Sequence, residues 1–115
     1  MKIEGDGKLL RIFLGELDKF EGKPLYEVIV RKARELNLAG ATVFRGVEGF
    51  GAKSVIHKAK ILGLSEDLPI LIEVVDSEQK INQAIPVFDE LIDKANCGAL
   101  ITIEKAEVIK YTSGK

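Results

Sequence analysis

The chain carries almost none of the residues on which metal, redox and disulfide chemistry depend. In 115 residues there is one cysteine (Cys97), one histidine (His57), one methionine and no tryptophan. A lone cysteine excludes an internal disulfide framework and a multi-cysteine zinc site. An excess of one charge sign is also missing. The 17 Lys and Arg against 18 Asp and Glu leave a formal net charge of −1, which argues against a broad basic footprint for nucleic acid. No apolar run approaches the roughly 18 residues a membrane span needs. The opening MKIEGDGKLLRIFLGE lacks the apolar stretch and small-residue cleavage site of a signal peptide. These absences predict a soluble cytoplasmic protein, with no nucleic-acid partner and no direct membrane insertion.

What is present is one domain's worth of globular chain, 46% apolar and 30% charged. That apolar fraction is too high for a disordered segment, and the length falls in the common single-domain range of about 100–150 residues. Only two Gln and three Asn accompany the many charges, a balance enriched in hyperthermophile proteins.

Hydrophobic periodicity orders the chain. Residues 1–7 are polar and read as a frayed start, and Leu9–Leu14 reads as a first strand. After a loop (15–23), Pro24 suits the first position of a helix over 24–37, whose apolar stripe is Leu25, Val28, Ile29, Ala33 and Leu36. Asn37 and Gly40 supply its stop. Ala41–Gly46 reads as a second strand and Pro69–Val75 as a third. Between them, 47–67 is a long irregular connection of roughly 20 residues, a length that marks a functional or disordered loop. Asp76, with Gln79 three residues on, is a candidate capping box. It opens a second helix with the stripe Ile81, Ile85, Phe88, Leu91, Ile92 and Ala95, which Pro86 should kink or restart. Asn96-Cys97-Gly98 ends it. Ala99–Ile103 begins the last strand, which Ala106–Tyr111 extends or supplements.

The order β-α-β-β-α-β is the ferredoxin-like arrangement, an α+β fold with a four-stranded antiparallel sheet and both helices on one face. Alternation assigns Leu10, Ile12, Leu14, Ile70, Ile72, Val74, Ile101 and Ile103 to the helix-covered face. The other face carries Leu9, Arg11, Phe13, Leu71, Glu73, Val75, Leu100, Thr102 and Glu104. It is too apolar for a plain solvent face and too charged for a dry core, which predicts a subunit interface with its charges paired across it or lining a central cavity.

The best candidate for chemistry is Gly46-Val-Glu-Gly49-Phe-Gly51-Ala-Lys53. Gly-rich backbone can turn its N–H groups on an anion, with Arg45 and Lys53 adding charge and Phe50 available to stack on a base. It is not a Walker loop, which needs Gly-Lys followed by Ser or Thr, because Ala52 separates Gly51 from Lys53. No pair of carboxylates is spaced for acid–base work, and no histidine is placed by spacing to activate Cys97. The sequence therefore offers no support for an enzyme.

The element order, the long insertion and the half-apolar second face resemble the nitrogen-regulatory PII superfamily. More closely, LRIFLGE (10–16), KPLYEVIVRKAREL (23–36), GATVFRGVEGFG (40–51) and DLPILIEVVD (67–76) are similar to small, largely uncharacterised PII-like proteins, over about residues 8–110. The stretch at 40–51 is the most specific. The resemblance implies a homotrimeric regulator that binds an adenine nucleotide (ATP, ADP or AMP) in clefts between subunits, with no obligatory cofactor. It also implies a T-loop, here 47–66, that changes shape with the ligand and docks on a target protein, a transporter or an enzyme. The ligand elements it implies are Arg45, Gly46, Gly49, Phe50, Gly51 and Lys53, the turn Asn96, Cys97 and Gly98, and Lys110 as the phosphate-contacting basic residue near the chain's end. Two departures stand out. Ala99 replaces the basic residue that follows the turn's Gly in PII, and the T-loop has no Tyr to accept uridylylation. The alternatives are a metal-responsive, copper-type trimer of the same fold using His57 or Cys97, and an interaction module with no small ligand.

Overall fold

A computed structural model of the chain describes residues 5–52, 56–58 and 67–114. Its elements in order are β1 (Gly5–Gly15), β2 (Lys19–Phe20), β3 (Lys23–Pro24), α1 (Leu25–Glu35), β4 (Thr42–Arg45), β5 (Glu48–Gly49), β6 (His57–Lys58), β7 (Pro69–Asp76), α2 (Glu78–Ala95) and β8 (Leu100–Val108). The four main strands lie in the order β4-β7-β1-β8, every neighbour antiparallel. With α1 and α2 this is the expected ferredoxin-like α+β fold.

Strand alternation builds the core. Leu10, Ile12 and Leu14 of β1 pair in register with Val74, Ile72 and Ile70 of β7. These six are buried against Leu25, Ile29 and Ala33 of α1 and Ile81, Ala84, Phe88 and Ile92 of α2. Helical spacing puts each trio or quartet on one stripe, so both helices dock on the same sheet face.

Several expectations are corrected. Residues 5–7 are not frayed, since Gly5, Asp6 and Gly7 pair with Val108, Glu107 and Ala106 of β8. Pro24 is not inside the helix. It closes β3, paired with Lys19, and caps α1, while Glu21 (φ 50) and Gly22 (φ 80) make the tight turn between β2 and β3. Asp76 is not the cap of α2. It turns inward, fully buried, and Ser77 caps the helix by accepting from the Lys80 N–H at 3.2 Å. Helix α2 runs unbroken through Pro86. Pro86 and Asn82, whose carbonyl it leaves without a helix partner, both lie on the exposed side where water can serve instead. The last strand is a single β8 ending at Val108, so residues 109–111 are not strand. Ile103 is 45% exposed, because β8 is an edge strand that the helices do not reach across. The 47–67 connection is not wholly irregular: Glu48 and Gly49 pair with Lys58 and His57 in a short ribbon.

Replacement of Phe88, the largest fully buried side chain, by Ala should lower unfolding free energy by about 3–5 kcal/mol. Urea unfolding followed by circular dichroism measures this.

Candidate functional site

The sheet has two ends, and different candidate residues sit at each. At one end β1 stops at Gly15, β7 starts at Pro69 and β4 stops at Arg45. Here both stems of the long loop are tied to residues 15–18. The Arg45 guanidinium pairs with Glu16 at 2.7 Å. The Glu16 N–H donates to the Leu68 carbonyl at 2.9 Å, and the Leu17 N–H donates to Asp67 Oδ1 at 2.9 Å. The two stems also close on each other. The Gly46 N–H donates to the Pro69 carbonyl at 2.7 Å, and a Cβ on Gly46 would lie 2.7 Å from Pro69 Cγ. Gly46 is therefore required by a close approach, and its N–H is already engaged.

The Asn96–Gly98 turn lies at this same end. Asn96 takes the left-handed conformation (φ 55), and its N–H and that of Cys97 satisfy the last carbonyls of α2. The Cys97 thiol donates to the Ala95 carbonyl at 3.3 Å. Burial, followed by the charge and hydrogen bonding of Asp18 and the charge of Asp67, pushes this thiol above its ordinary pKa, with a smaller opposing effect from the Lys19 backbone. That is the opposite of an activated nucleophile.

At the other end, the chain beyond β8 leaves one sheet edge and reaches the opposite one, where Tyr111 Oη donates to the Ala39 carbonyl at 2.6 Å. The crossing makes a groove of about 310 Å³ on the face away from the helices. Its walls include Gly40 and Thr42 at β4, Glu73 and Val75 of β7, and Lys110 and Tyr111 of the crossing segment. One wall is rigid. Ala39 N–H donates to the buried Asp76 Oδ2 at 2.9 Å, and Lys80 Nζ donates to the Asn37 carbonyl.

Between the two ends lies the open sheet face. Phe44, Leu71, Phe13 and Leu100 form an apolar row across all four strands. In the adjacent rows Arg11 Nε donates to Glu73 at 3.0 Å and its NH1 to Glu104 at 2.7 Å. The Glu73 hydrogen bond, with Glu104 behind it, holds Arg11 above its ordinary pKa. Within one chain, Arg11, Glu73 and Glu104 of this face are paired with one another.

Of the predicted site residues, Arg45, Gly46 and Gly49 join Asn96, Cys97 and Gly98 at one end of the sheet. Phe50 and Gly51 follow at the loop's base, with Phe50 68% exposed. Lys110 is at the opposite end, so one chain does not bring the whole set together. Lys53 and the side chain of His57 fall outside the described residues. Among the described residues no three His, Cys, Asp or Glu side chains are grouped to hold a metal, and no helix is long and apolar enough to cross a membrane. The groove residues Gly40, Thr42, Glu73, Val75 and Tyr111 were absent from the sequence-based set. Gly40 and Thr42 fall in the matching stretch at 40–51 and Glu73 and Val75 in that at 67–76, while Tyr111 lies in neither, because tertiary crossing, not spacing, assembles the groove.

Comparison with known proteins follows the same outline. The model of the family DUF190, Uncharacterized ACR, matches residues 7–108. A UPF0166 protein of Aquifex aeolicus is 44% identical over 102 residues, covering 89% of this chain and 92% of its own. A UPF0166 protein of Methanocaldococcus jannaschii is 39% identical over 103 residues, covering 90% and 92%. Among solved structures, CPII, a nitrogen-regulatory PII-like protein from Thiomonas intermedia bound to ADP, AMP and bicarbonate, superposes with a TM-score of 0.69 at 16% identity. That match covers 91% of this chain and 90% of the CPII chain.

The raised pKa of Cys97 gives a pH prediction. Its alkylation by iodoacetamide should be slower at pH 8 than that of an unstructured cysteine, and should keep rising at pH values where an ordinary thiol has levelled off. Asp18→Asn removes a negative neighbour, so it should lower the midpoint and speed the reaction at pH 8. Mass spectrometry of the labelled chain reads both.

Proposed function

Because the chain belongs to the DUF190 family and carries a PII-like fold, we propose that it is a PII-like regulator. In this reading it is a homotrimer that binds an adenine nucleotide and presents its long loop to a target protein. The observation that carries the proposal is the groove beside β4. Val75 and the Tyr111 ring offer apolar surface to a purine. β4 is an edge strand, so it has backbone groups to offer on its open side. Lys110 adds a positive charge at the same place. From Thr42 the strand runs about 13 Å to Gly46 at roughly 3.3 Å per residue. A nucleotide with its base in the groove then directs its phosphates along β4 toward Arg45 and the Gly46–Gly51 turn. The ADP and AMP held by CPII support this class of ligand. With Ala99 in place of a basic residue, ADP and AMP are as suitable as ATP.

The open face supports the trimer. An exposed apolar row flanked by paired charges gains from a second layer that this chain does not contain. Assembly would also bring a neighbour's residues to a cleft that is incomplete within one chain. Val47 and Phe50 at the loop's base, and Ile56 beside β6, expose apolar side chains suited to a protein partner. The loop responds to nucleotide only if the ligand favours one of its states over another.

Isothermal titration should show heat with ADP or AMP, and Lys110→Ala, which removes a charge beside the base and ribose and not the phosphates, should weaken binding by up to about tenfold, the worth of one charge-assisted contact. Absence of heat with ADP, AMP and ATP would overturn the nucleotide reading. Light scattering should return three times the 12.6 kDa chain mass. Phe13→Asp, on the open face, should return the single-chain mass without loss of helical signal.

A further inference from the structure

The crossing segment that completes the groove is held very differently on its two sides. We propose that residues 109–114 form a strap over the groove, latched by the Tyr111–Ala39 hydrogen bond, and that opening this latch admits and releases the ligand. The inference rests on the groove being the nucleotide site and adds how that site is controlled.

Three observations converge on it. First, among the described residues the strap has one hydrogen bond to the rest of the fold, from Tyr111 Oη to the Ala39 carbonyl at 2.6 Å. The other bond recorded for the strap is internal, from the Gly114 N–H to Thr112 Oγ1 at 3.1 Å. Ile109 is 81% exposed, and every described residue from 109 to 114 is exposed, so packing adds little to hold the segment down. Second, the receiving side is fixed. Ala39 is bonded through its N–H to the fully buried Asp76, and Asn37 two residues earlier is held by Lys80. When the latch opens, the strap moves and the Ala39 wall stays. Third, Lys110 and Tyr111 are themselves groove walls facing Glu73 and Val75. Lifting the strap therefore removes one side of the groove, and a ligand lodged against that side resists the lifting. Occupancy and strap closure are then linked, each favouring the other.

A hydrogen bond of this kind biases an equilibrium by roughly two- to tenfold, so the latch is weak enough to open readily and strong enough to measure. Tyr111→Phe keeps the ring and deletes the donor. Trypsin cleaves after Lys110, which lies within the strap, and mass spectrometry follows release of the 111–115 peptide. Without nucleotide, Tyr111→Phe should release the terminal peptide roughly two- to tenfold faster than the wild type at unchanged thermal stability. With ADP, release from the wild type should slow, and ADP should dissociate faster from Tyr111→Phe by a similar factor in stopped flow. Equal release rates for the two chains without nucleotide would overturn the strap whatever ADP does. Unequal rates without nucleotide, in a chain that shows no heat with ADP, would leave the latch standing and remove the nucleotide reading. Heat with ADP but no protection of the strap would overturn the gating alone.

Discussion

The two-residue period of β1 governs both surfaces of the molecule. The strand is central, bonded to β7 on one side and β8 on the other. Its even residues Leu10, Ile12 and Leu14 fill the core, and its odd residues Leu9, Arg11 and Phe13 meet the open-face residues of both neighbours. A slip of one residue would put Arg11 under the helices and Leu10 in the open, so the register is heavily specified. The Arg11 pairing with Glu73 and Glu104 spans three strands in this alignment. Its exposed members limit what it contributes to stability, and its value lies in satisfying the charge on a face suited to being covered.

Asp76 has a comparable role at one end of the sheet. Its buried carboxylate accepts the Ser77 N–H and the Ala39 N–H, joining the start of α2 to the approach of β4. A buried carboxylate needs such partners, and no unpartnered buried side-chain polar atom occurs among the described residues. The Ala39 carbonyl, in the next peptide unit, accepts from Tyr111. One residue thus links an interior bond to an exposed outer one.

Much of this was legible in the sequence, for reasons that differ by element. The stripe of Leu25, Ile29 and Ala33 and the alternation of Ile70, Ile72 and Val74 are local patterns, and they identified the helices, the strands and the covered face. Asp76 misled because its carboxylate serves a residue 37 positions away, leaving the cap to Ser77. Pro24 misled because the β2–β3 turn had no apolar period to reveal it. Gly46 is conspicuous in the sequence as backbone freedom, and in the structure it makes room for the Pro69 ring. The groove could not be read from spacing at all, since its walls come from opposite sheet edges and its floor from open-face side chains.

The seal between Gly46 and Pro69 reaches beyond its own contact. With the stems bonded at Gly46 N–H to Pro69 O and both tied to residues 16 and 17, the sheet is complete before the intervening loop is considered. Closing a longer loop on such a base costs little, about 0.6 kcal/mol for each doubling of length. The segment beyond the stems can therefore vary in length without renegotiating the core, provided residues 46 and 49 stay small while Pro69 remains.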